Sequence, residues 1–260
     1  MQIDLTGKRA IVTGSTAGIG LAVAQGLALA GAEVVITGRS SARVDDACAM
    51  IRAEGASVPI MGLAADLATP SGAQALFEAV PEADILVNSL GTYHAKPLFD
   101  LEDEDWQAAF DVNVISAARL SRHYVSRMKE KSWGRLIFVS SQMAHNVPVD
   151  MAPYAASKAA LQAVSRAYAK ALAGSGVTAN VVVPGLTRTD SALAALDRAG
   201  GDSEAIERAF LADNPGYNLI DRIATPQEVA NLCLYLASPF SSATTGAALR
   251  VEGGIIDGIT

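Results

Sequence analysis

Short runs of apolar, mostly β-branched residues alternate along the chain with longer alanine-rich segments. The run Lys8–Thr13 is followed by apolar residues at helical spacing over Gly18–Ala30, and Glu33–Thr37 precedes a similar pattern near Arg43–Glu54. Because side chains repeat every two residues in a strand and every 3.6 in a helix, these segments predict alternating strands and helices. Further strands are predicted at Pro59–Leu63, Asp84–Asn88, Arg135–Ser140, Thr178–Val183 and Ala248–Val251, and further helices near Leu101–Lys129 and Ala152–Leu172.

The predicted strands lack polar alternation and are separated by helices of ten or more residues. This combination is typical of a parallel sheet with helices on both faces, the doubly wound α/β fold. We find no linker or repeat that would divide the chain, so residues 1–260 are predicted to form a single domain. The irregular stretch Leu186–Asp221 follows a strand end and is where we expect a substrate lid, with a helix at Asp202–Ala212.

Composition excludes several classes of protein. The 260 residues are 50% hydrophobic, and the formal net charge of −7 argues against a nucleic acid or an anionic membrane as the main partner. No apolar segment has the length of a membrane span, and the N-terminus does not resemble a secretory signal. Two cysteines and three scattered histidines predict neither a disulfide framework nor a metal site. We therefore expect a soluble, cytoplasmic protein.

A glycine-rich turn joins the first predicted strand to the first predicted helix. Glycines in this position allow a tight turn and a close approach of the backbone to a phosphate, while the helix N-terminus supplies free N–H groups. The turn has Gly-x3-Gly-x-Gly spacing, one residue longer than the common Rossmann pattern, and glycine at a helix start also has purely conformational uses. With a strand before it and a helix after it, the turn predicts a dinucleotide site. The expected contacts are Gly14, Ser15, Thr16, Gly18, Ile19 and Gly20.

The end of the second strand indicates which dinucleotide binds. A carboxylate about 20 residues beyond the glycines would receive the ribose hydroxyls of NAD. Gly38 occupies that place here and Arg39 follows it. A guanidinium without a neighbouring acid favours the 2′-phosphate of NADP, so NADP(H) is predicted, with NAD(H) as the alternative if Arg39 is an ordinary surface arginine.

A tyrosine and a lysine four residues apart are the candidate reactive groups. Tyr154 and Lys158 lie in an alanine-rich helical run, where this spacing places both side chains on one helix face. An ammonium near a phenol favours the phenolate, so we expect Lys158 to lower the pKa of Tyr154. The pair alone is a common coincidence, and its meaning depends on the other residues around it.

The surrounding motifs resemble the short-chain dehydrogenase/reductase family from about Thr6 to Gly254. The family's catalytic serine lies 13 residues before its tyrosine, which selects Ser141 over Ser140. The residues that carry the resemblance are Thr13–Gly20, Asn88, Asn113, Ser141, Tyr154, Lys158 and Pro184-Gly185.

The resemblance implies a catalytic role for four residues. Tyr154 would be the general acid in reduction and the base in alcohol oxidation. Lys158 would hold the nicotinamide ribose, and Ser141 would hydrogen-bond the substrate oxygen. Asn113 would bind a water that extends a proton path from Lys158.

The resemblance also implies cofactor contacts beyond the glycine turn. Thr189 would hold the carboxamide and Asp66 would contact adenine. The full set of additional contacts is Asp66, Leu67, Asn88, Gly91, Tyr154, Lys158, Pro184, Gly185, Thr187 and Thr189. One departure stands out: the family's Asn-Asn-Ala-Gly run is here Asn88-Ser89-Leu90-Gly91, which we expect to affect stability and fine cofactor geometry more than the reaction type.

Taken together, the sequence predicts an NADP(H)-dependent oxidoreductase that interconverts a carbonyl compound and its alcohol. The resemblance implies a homo-oligomer, a tetramer or a dimer, built partly on the helices that carry Asn113 and Tyr154. The alternatives are the same reaction with NAD(H), a dinucleotide-binding sensor or scaffold without catalysis, and dehydration or epimerisation on the same fold. The sequence does not select among ketones, sugars and acyl thioesters as substrate.

Overall fold

The protein, described by a computed structural model over residues 2–197 and 202–259, is organised around one sheet. All of the sheet's seven strands in the described residues run parallel, in the order β3-β2-β1-β4-β5-β6-β7. The strands are β1 Arg9–Val12, β2 Glu33–Gly38, β3 Ile60–Ala64, β4 Ile85–Asn88, β5 Gly134–Val139, β6 Val177–Pro184 and β7 Ala248–Val251. The predicted doubly wound α/β fold is confirmed, and each predicted strand boundary lies no more than one residue from the observed one.

Helices cover both faces of this sheet. They are α1 Gly18–Leu29, α2 Ser41–Ala53, α3 Pro70–Ala79, α4 Asp103–Phe110, α5 Ser116–Glu130, α6 Ala152–Ala171, α7 Asp190–Leu196, α8 Ser203–Asp213 and α9 Pro226–Ala237. The single helix expected over Leu101–Lys129 is divided by a π-helical turn, Asp111–Ile115. The sequence did not indicate this division, because one extra residue per turn is too small a change to alter the hydrophobic pattern. The sequence analysis missed α3 and α7, both of which are short and begin after a threonine N-cap.

The core explains why the strands read as continuous apolar runs. Successive residues of a strand face opposite sides of the sheet. Ala10 and Val12 pack with α1, α2 and α9, whereas Ile11 packs with α3, α5 and α6 on the other face. Because both faces are buried, most strand positions are apolar, and the few polar side chains in the strands, such as Thr37 and Asn180, are hydrogen-bonded.

The carboxyl ends of β1 and β4 mark the point where the strand order reverses. β1 pairs with β2 on one side and with β4 on the other. Thr13, directly after β1, ties the two ends together, since its Oγ1 accepts hydrogen bonds from the backbone N–H groups of Ser89 and Leu90, both at 2.9 Å. Ligands of doubly wound sheets bind in the crevice at such a point.

The described residues contain neither a candidate membrane span nor a candidate metal site. None of the described helices combines the length and hydropathy that a membrane span requires. No three His, Cys, Asp or Glu side chains among these residues gather in a way that would hold a metal ion. Cys48 and Cys233 are buried free thiols, and burial raises the pKa of Cys233 to about 12, so this thiol stays protonated.

Candidate active site

A cleft of about 890 Å³ opens above the carboxyl ends of the strands. Most of the residues proposed from the sequence line it. They are Gly14, Thr16, Gly18, Ile19, Gly20, Arg39, Asp66, Leu67, Gly91, Ser141, Tyr154, Lys158, Pro184, Gly185, Thr187 and Thr189. Three proposed residues, Ser15, Asn88 and Asn113, do not line the cleft and support its wall from behind.

The glycine turn has a conformation that other residues adopt only with strain. Gly14 and Gly18 have φ values of +64° and +55°, in the left-handed region. A Cβ on Gly20 would lie 2.3 Å from the carbonyl oxygen of Gly14. The turn therefore folds back on itself tightly at the start of α1.

The N-terminus of α1 presents unpaired backbone donors to the cleft. Its N-cap residue, Ala17, has no side chain to cap the helix, and the first turn contains no acidic residue. The first N–H groups of a helix have no partner within the helix, and the dipole is positive at this end. This arrangement fits a pyrophosphate.

Ser15 lies behind the cleft and not on its surface. Its side chain is fully buried and points into the sheet, where Oγ donates to the Val12 carbonyl at 2.7 Å and accepts from the Thr37 N–H at 2.9 Å. Ser15 therefore fixes the turn against β1 and β2, and its neighbour Thr16 faces the cleft. The sequence could not distinguish the two, because the direction of each side chain in an irregular turn depends on the local backbone.

The end of β2 carries two cations. Arg39 and Arg43 both line the cleft, and neither pairs with a carboxylate in the described part of the chain. A Cβ on Gly38 would lie 2.5 Å from Cγ2 of Thr16, so an acidic side chain would not fit there without a shift. The sequence analysis missed Arg43, although its position four residues after Arg39 in the first turn of α2 was the available signal.

The reactive end of the cleft is formed by the end of β5 and the start of α6. Ser141 follows β5, and its Oγ accepts a hydrogen bond from the Met143 N–H at 3.2 Å. Ser140 has a structural role, since its Oγ donates to the Lys158 carbonyl at 2.8 Å and holds α6 to β5. The Ser140 hydroxyl thus joins two elements of the fold, whereas the Ser141 hydroxyl caps only the short turn that follows it.

Lys158 is almost completely buried. Its Nζ donates to the Val139 carbonyl at 2.9 Å and lies 5.7 Å from the centre of the Tyr154 ring. Burial lowers the pKa of Lys158 to about 8, so the amine is mostly protonated at neutral pH. One N–H is used by Val139, which leaves two for a ligand.

The pKa of Tyr154 moves in the direction opposite to the one we expected. Burial raises the pKa of Tyr154 above its usual value of 10, and a hydrogen bond with Ser141 offsets only part of that rise. At 5.7 Å from the ring centre, the buried Lys158 does not reverse it. In the protein without a bound ligand, Tyr154 is therefore a neutral acid at physiological pH.

Hydrogen bonds of the Asn113 side chain link three segments of the chain. In the π-helical turn, its Oδ1 accepts from the Thr92 N–H at 2.9 Å, while its Nδ2 donates to Ser157 Oγ at 2.8 Å and to the Thr92 carbonyl at 3.1 Å. Both ends of the amide are occupied by protein atoms. The water contact that the resemblance implies for Asn113 stays a prediction.

The run Asn88-Ser89-Leu90-Gly91 at the end of β4 is held in place by other hydrogen bonds, although Ser89 replaces the family's second asparagine. The Ser89 and Leu90 N–H groups bond to Thr13, as described above, and a Cβ on Gly91 would lie 3.4 Å from Nζ of Lys158. Asn88 is buried behind the cleft, where its Nδ2 donates to Ser121 Oγ at 3.3 Å. The close approach of Gly91 to Lys158 shows that this segment still borders the reactive end.

The predicted lid forms one wall of the cleft. Its described parts contain α7 and α8, while residues 198–201 of the predicted segment lie outside the described residues. Thr187 donates to the Gly185 carbonyl at 3.0 Å, and Thr189 caps α7 by accepting from the Ala192 N–H at 3.2 Å. Both threonines also line the cleft, so the start of the lid and the expected carboxamide site coincide.

A buried ion pair fastens α8 to the rest of the protein. Glu207 pairs with Arg188, and its second carboxylate oxygen accepts from the Ile223 N–H at 2.7 Å. Only 7% of the Glu207 side chain is exposed, against 35% for Arg188. The lid is therefore held by the Glu207 carboxylate, whose partners cannot be removed without a large cost in the free energy of folding.

We expect Glu207→Ala to lower the free energy of unfolding by about 2 kcal/mol, because the substitution leaves Arg188 and the Ile223 N–H without the carboxylate that they bind. Urea denaturation would measure the change. Glu204→Ala on the exposed side of the same helix is the matched control and should have no measurable effect, since Glu204 pairs with Arg208 in solvent. Equal losses in the two variants would contradict the anchoring role.

The cleft beside Tyr154 is lined by further residues that were not proposed from the sequence. The Tyr93 ring packs edge-on against Tyr154, with ring centres 5.9 Å apart, and its hydroxyl reaches the Ser191 carbonyl of α7 at 3.4 Å. The other residues on this side are Gln142, Met143, Met151, Leu186, Leu196 and Tyr217. His94 and His145 are exposed and do not line the cleft.

Fold and cleft together give a doubly wound α/β protein whose glycine turn and serine–tyrosine–lysine set line one cleft. Residues 14–256 match the family described as Enoyl-(Acyl carrier protein) reductase. The oxidoreductase YvaG of Bacillus subtilis, named as uncharacterized, is 40% identical over 260 residues that cover 98% of both chains. The 3-oxoacyl-[acyl-carrier-protein] reductase FabG of Escherichia coli is 34% identical over 97% of this chain and 99% of its own.

A solved structure agrees with these sequence matches. L-sorbose reductase from Gluconobacter frateurii, crystallised with NADPH and L-sorbose, is 31% identical and superposes with a TM-score of 0.92 over 100% of both chains. The chain therefore belongs to the short-chain dehydrogenase/reductase family, as the resemblance predicted, and is an oxidoreductase that acts on alcohol or carbonyl groups.

Proposed function

We propose that this protein transfers a hydride between NADP(H) and a carbonyl/alcohol pair, with Tyr154 as the general acid and base. The observation that carries the proposal is the cleft itself, which joins Ser141, Tyr154 and Lys158 at one end to Arg39 and Arg43 at the other. The relative crystallised with NADPH and a keto sugar supports the same reaction class.

The residues present fit the dinucleotide. The free N–H groups of α1 would receive its pyrophosphate, and the two guanidinium groups would pair with a 2′-phosphate. The NADPH coenzyme would supply the hydride, and NADP⁺ would accept it in the reverse direction.

The side chains of the chain would handle the proton. Ser141 Oγ accepts from the Met143 N–H and lies within hydrogen-bond reach of Tyr154, so the Ser141 and Tyr154 hydroxyls would both hydrogen-bond the same substrate oxygen. Tyr154, neutral at physiological pH, would donate its proton to that oxygen during reduction. Lys158 would hold the nicotinamide ribose with its two remaining N–H groups, and Asn113 would fix α6 against the loop after β4.

The test of the proposal is NADPH oxidation across a panel of ketones, keto sugars and acyl thioesters. Turnover with at least one carbonyl supports it. Coenzyme binding without turnover on any member favours the non-catalytic sensor, and substrate conversion without net NADPH consumption favours dehydration or epimerisation.

Coenzyme choice gives a separate prediction. Arg39→Asp should lower kcat/KM for NADPH about a hundredfold, because it replaces a phosphate partner with a like charge, and should leave NADH use equal or better. Lys170→Asp is the control and should change neither value, because Lys170 is exposed near the end of α6, about 24 Å from Tyr154 by helical rise. Steady-state kinetics with both coenzymes would decide, and an unchanged NADPH:NADH ratio in Arg39→Asp would favour the NAD(H) alternative.

The expected homo-oligomer is part of the proposal. Phe99 is 98% exposed and Ile115 is 42% exposed, and they flank α4 and the π-helical turn that carries Asn113. Light scattering coupled to size exclusion would distinguish a tetramer, a dimer and a monomer. The single-domain organisation and the cytoplasmic location stay predictions.

A further inference from the structure

A buried amide for which the described residues supply no hydrogen-bond partner lies beside the proposed proton-transfer residues. Gln142 is only 6% exposed and lines the cleft directly after Ser141. Its Oε1 is buried and accepts no hydrogen bond, and its Nε2 donates none within the described residues. Buried polar groups are nearly always hydrogen-bonded, so an exception in the wall of a reaction cleft calls for a ligand.

The backbone of Gln142 is fixed although its side chain is not bonded. Its carbonyl accepts from the N–H groups of His145 and Asn146, at 2.9 and 3.0 Å. The next residue, Met143, donates its N–H to Ser141 Oγ. The backbone from which the Gln142 amide extends is therefore held at a constant position relative to the hydroxyl that would bind the substrate oxygen.

We propose that Gln142 is a specificity-determining residue that recognises a hydroxyl group on the carbon next to the reacting carbonyl. This inference rests on the proposed function and narrows its substrate class to α-hydroxyketones and their vicinal diols. A hydroxyl both donates and accepts, so it satisfies an amide whichever way the amide is turned. The neighbouring cleft residues Met143 and Met151 offer no competing polar group.

The reaction on such a substrate is balanced. The carbonyl carbon gains the hydride, its oxygen gains the Tyr154 proton, NADPH becomes NADP⁺, and the neighbouring hydroxyl is unchanged. Gln142 takes no part in these bond changes. It favours the substrate whose hydroxyl fills its vacant hydrogen bonds and penalises one that leaves them empty.

The test compares 1-hydroxy-2-pentanone with 2-pentanone, which differ only in that hydroxyl, in the wild type and in Gln142→Met. The wild type should prefer the hydroxyketone in kcat/KM by about tenfold or more, and Gln142→Met should reduce that preference to near one while keeping activity on 2-pentanone. Gln74→Met, on the exposed face of α3, is the control and should keep the wild-type ratio.

Binding is measured separately by calorimetry with NADP⁺, where neither ketone can be reduced. Tighter binding of the hydroxyketone by the wild type alone supports the inference even if the panel shows no turnover, which would count against the proposed function only. Equal binding of the two ketones by the wild type, or an undiminished preference in Gln142→Met, would overturn it. Gln142→Leu, with the thermal midpoint as a check of folding, repeats the comparison if the methionine variant does not fold.

Discussion

Tyr154→Phe will lower kcat for carbonyl reduction by about a thousandfold, within the range for loss of a positioned general acid. Phenylalanine keeps the ring that packs against Tyr93 and removes only the hydroxyl that bonds to Ser141. Coenzyme affinity should fall far less than kcat, because Tyr154 is one of many expected coenzyme contacts and Lys158 and the α1 turn are untouched. Single-turnover kinetics and a fluorescence titration of NADPH would measure the two quantities.

Tyr168→Phe is the matched control for this substitution. Tyr168 is on the same helix, and its hydroxyl donates to the Ala118 carbonyl at 2.9 Å, away from the cleft. Its loss should cost about 1 kcal/mol of stability and leave kcat unchanged. Near-wild-type turnover in Tyr154→Phe would contradict the mechanism, since the proposal assigns the proton to no other residue.

Features that depend on residues close together in the chain were predicted from the sequence, and features that depend on residues far apart in the chain were not. Strand positions were predictable because both faces of the sheet are buried, and Ser141 was predictable because a family resemblance fixes a distance along the chain. The direction of the Ser15 side chain and the bonding of Asn113 depend on contacts with Thr37 and Ser157, which are distant in sequence. No local pattern records such contacts.

The pKa values of Tyr154 and Lys158 also depend on contacts that the sequence does not reveal. From spacing alone, Lys158 was expected to lower the pKa of Tyr154, whereas burial raises the pKa of Tyr154 and lowers that of Lys158. Helical spacing reports which side chains share a face, but desolvation depends on everything packed around them. The unbonded amide of Gln142 is likewise visible only once its surroundings are known.

Burial of Lys158 leads to a prediction about stability as well as activity. Lys158→Met should lower kcat/KM by at least about a hundredfold, because it removes the cation proposed to hold the ribose. The same substitution should raise the free energy of unfolding at pH 7. A pKa lowered from 10.5 to about 8 corresponds to a cost of up to about 3 kcal/mol for the buried charge, from which about 1 kcal/mol is subtracted for the lost bond to Val139.

The pH dependence of that gain identifies its cause. Below about pH 8 the lysine is charged in both the folded and unfolded chains, so the cost of burying the charge is complete and Lys158→Met gains the most. Between pH 8 and 10.5 the folded protein loses the proton while the unfolded chain keeps it, so the wild type recovers stability relative to the variant.

Urea unfolding of both proteins at pH 7 and pH 10 should therefore show a gain of about 2 kcal/mol that mostly disappears at the higher pH. Lys170→Met, at the exposed end of the same helix, should give a small difference that does not vary in this way. A gain of equal size at both pH values would attribute the effect to packing and not to the buried charge. A loss of stability at pH 7 would mean that the bond to Val139 outweighs desolvation, and Lys158 would then stabilise the fold that it is proposed to serve in catalysis.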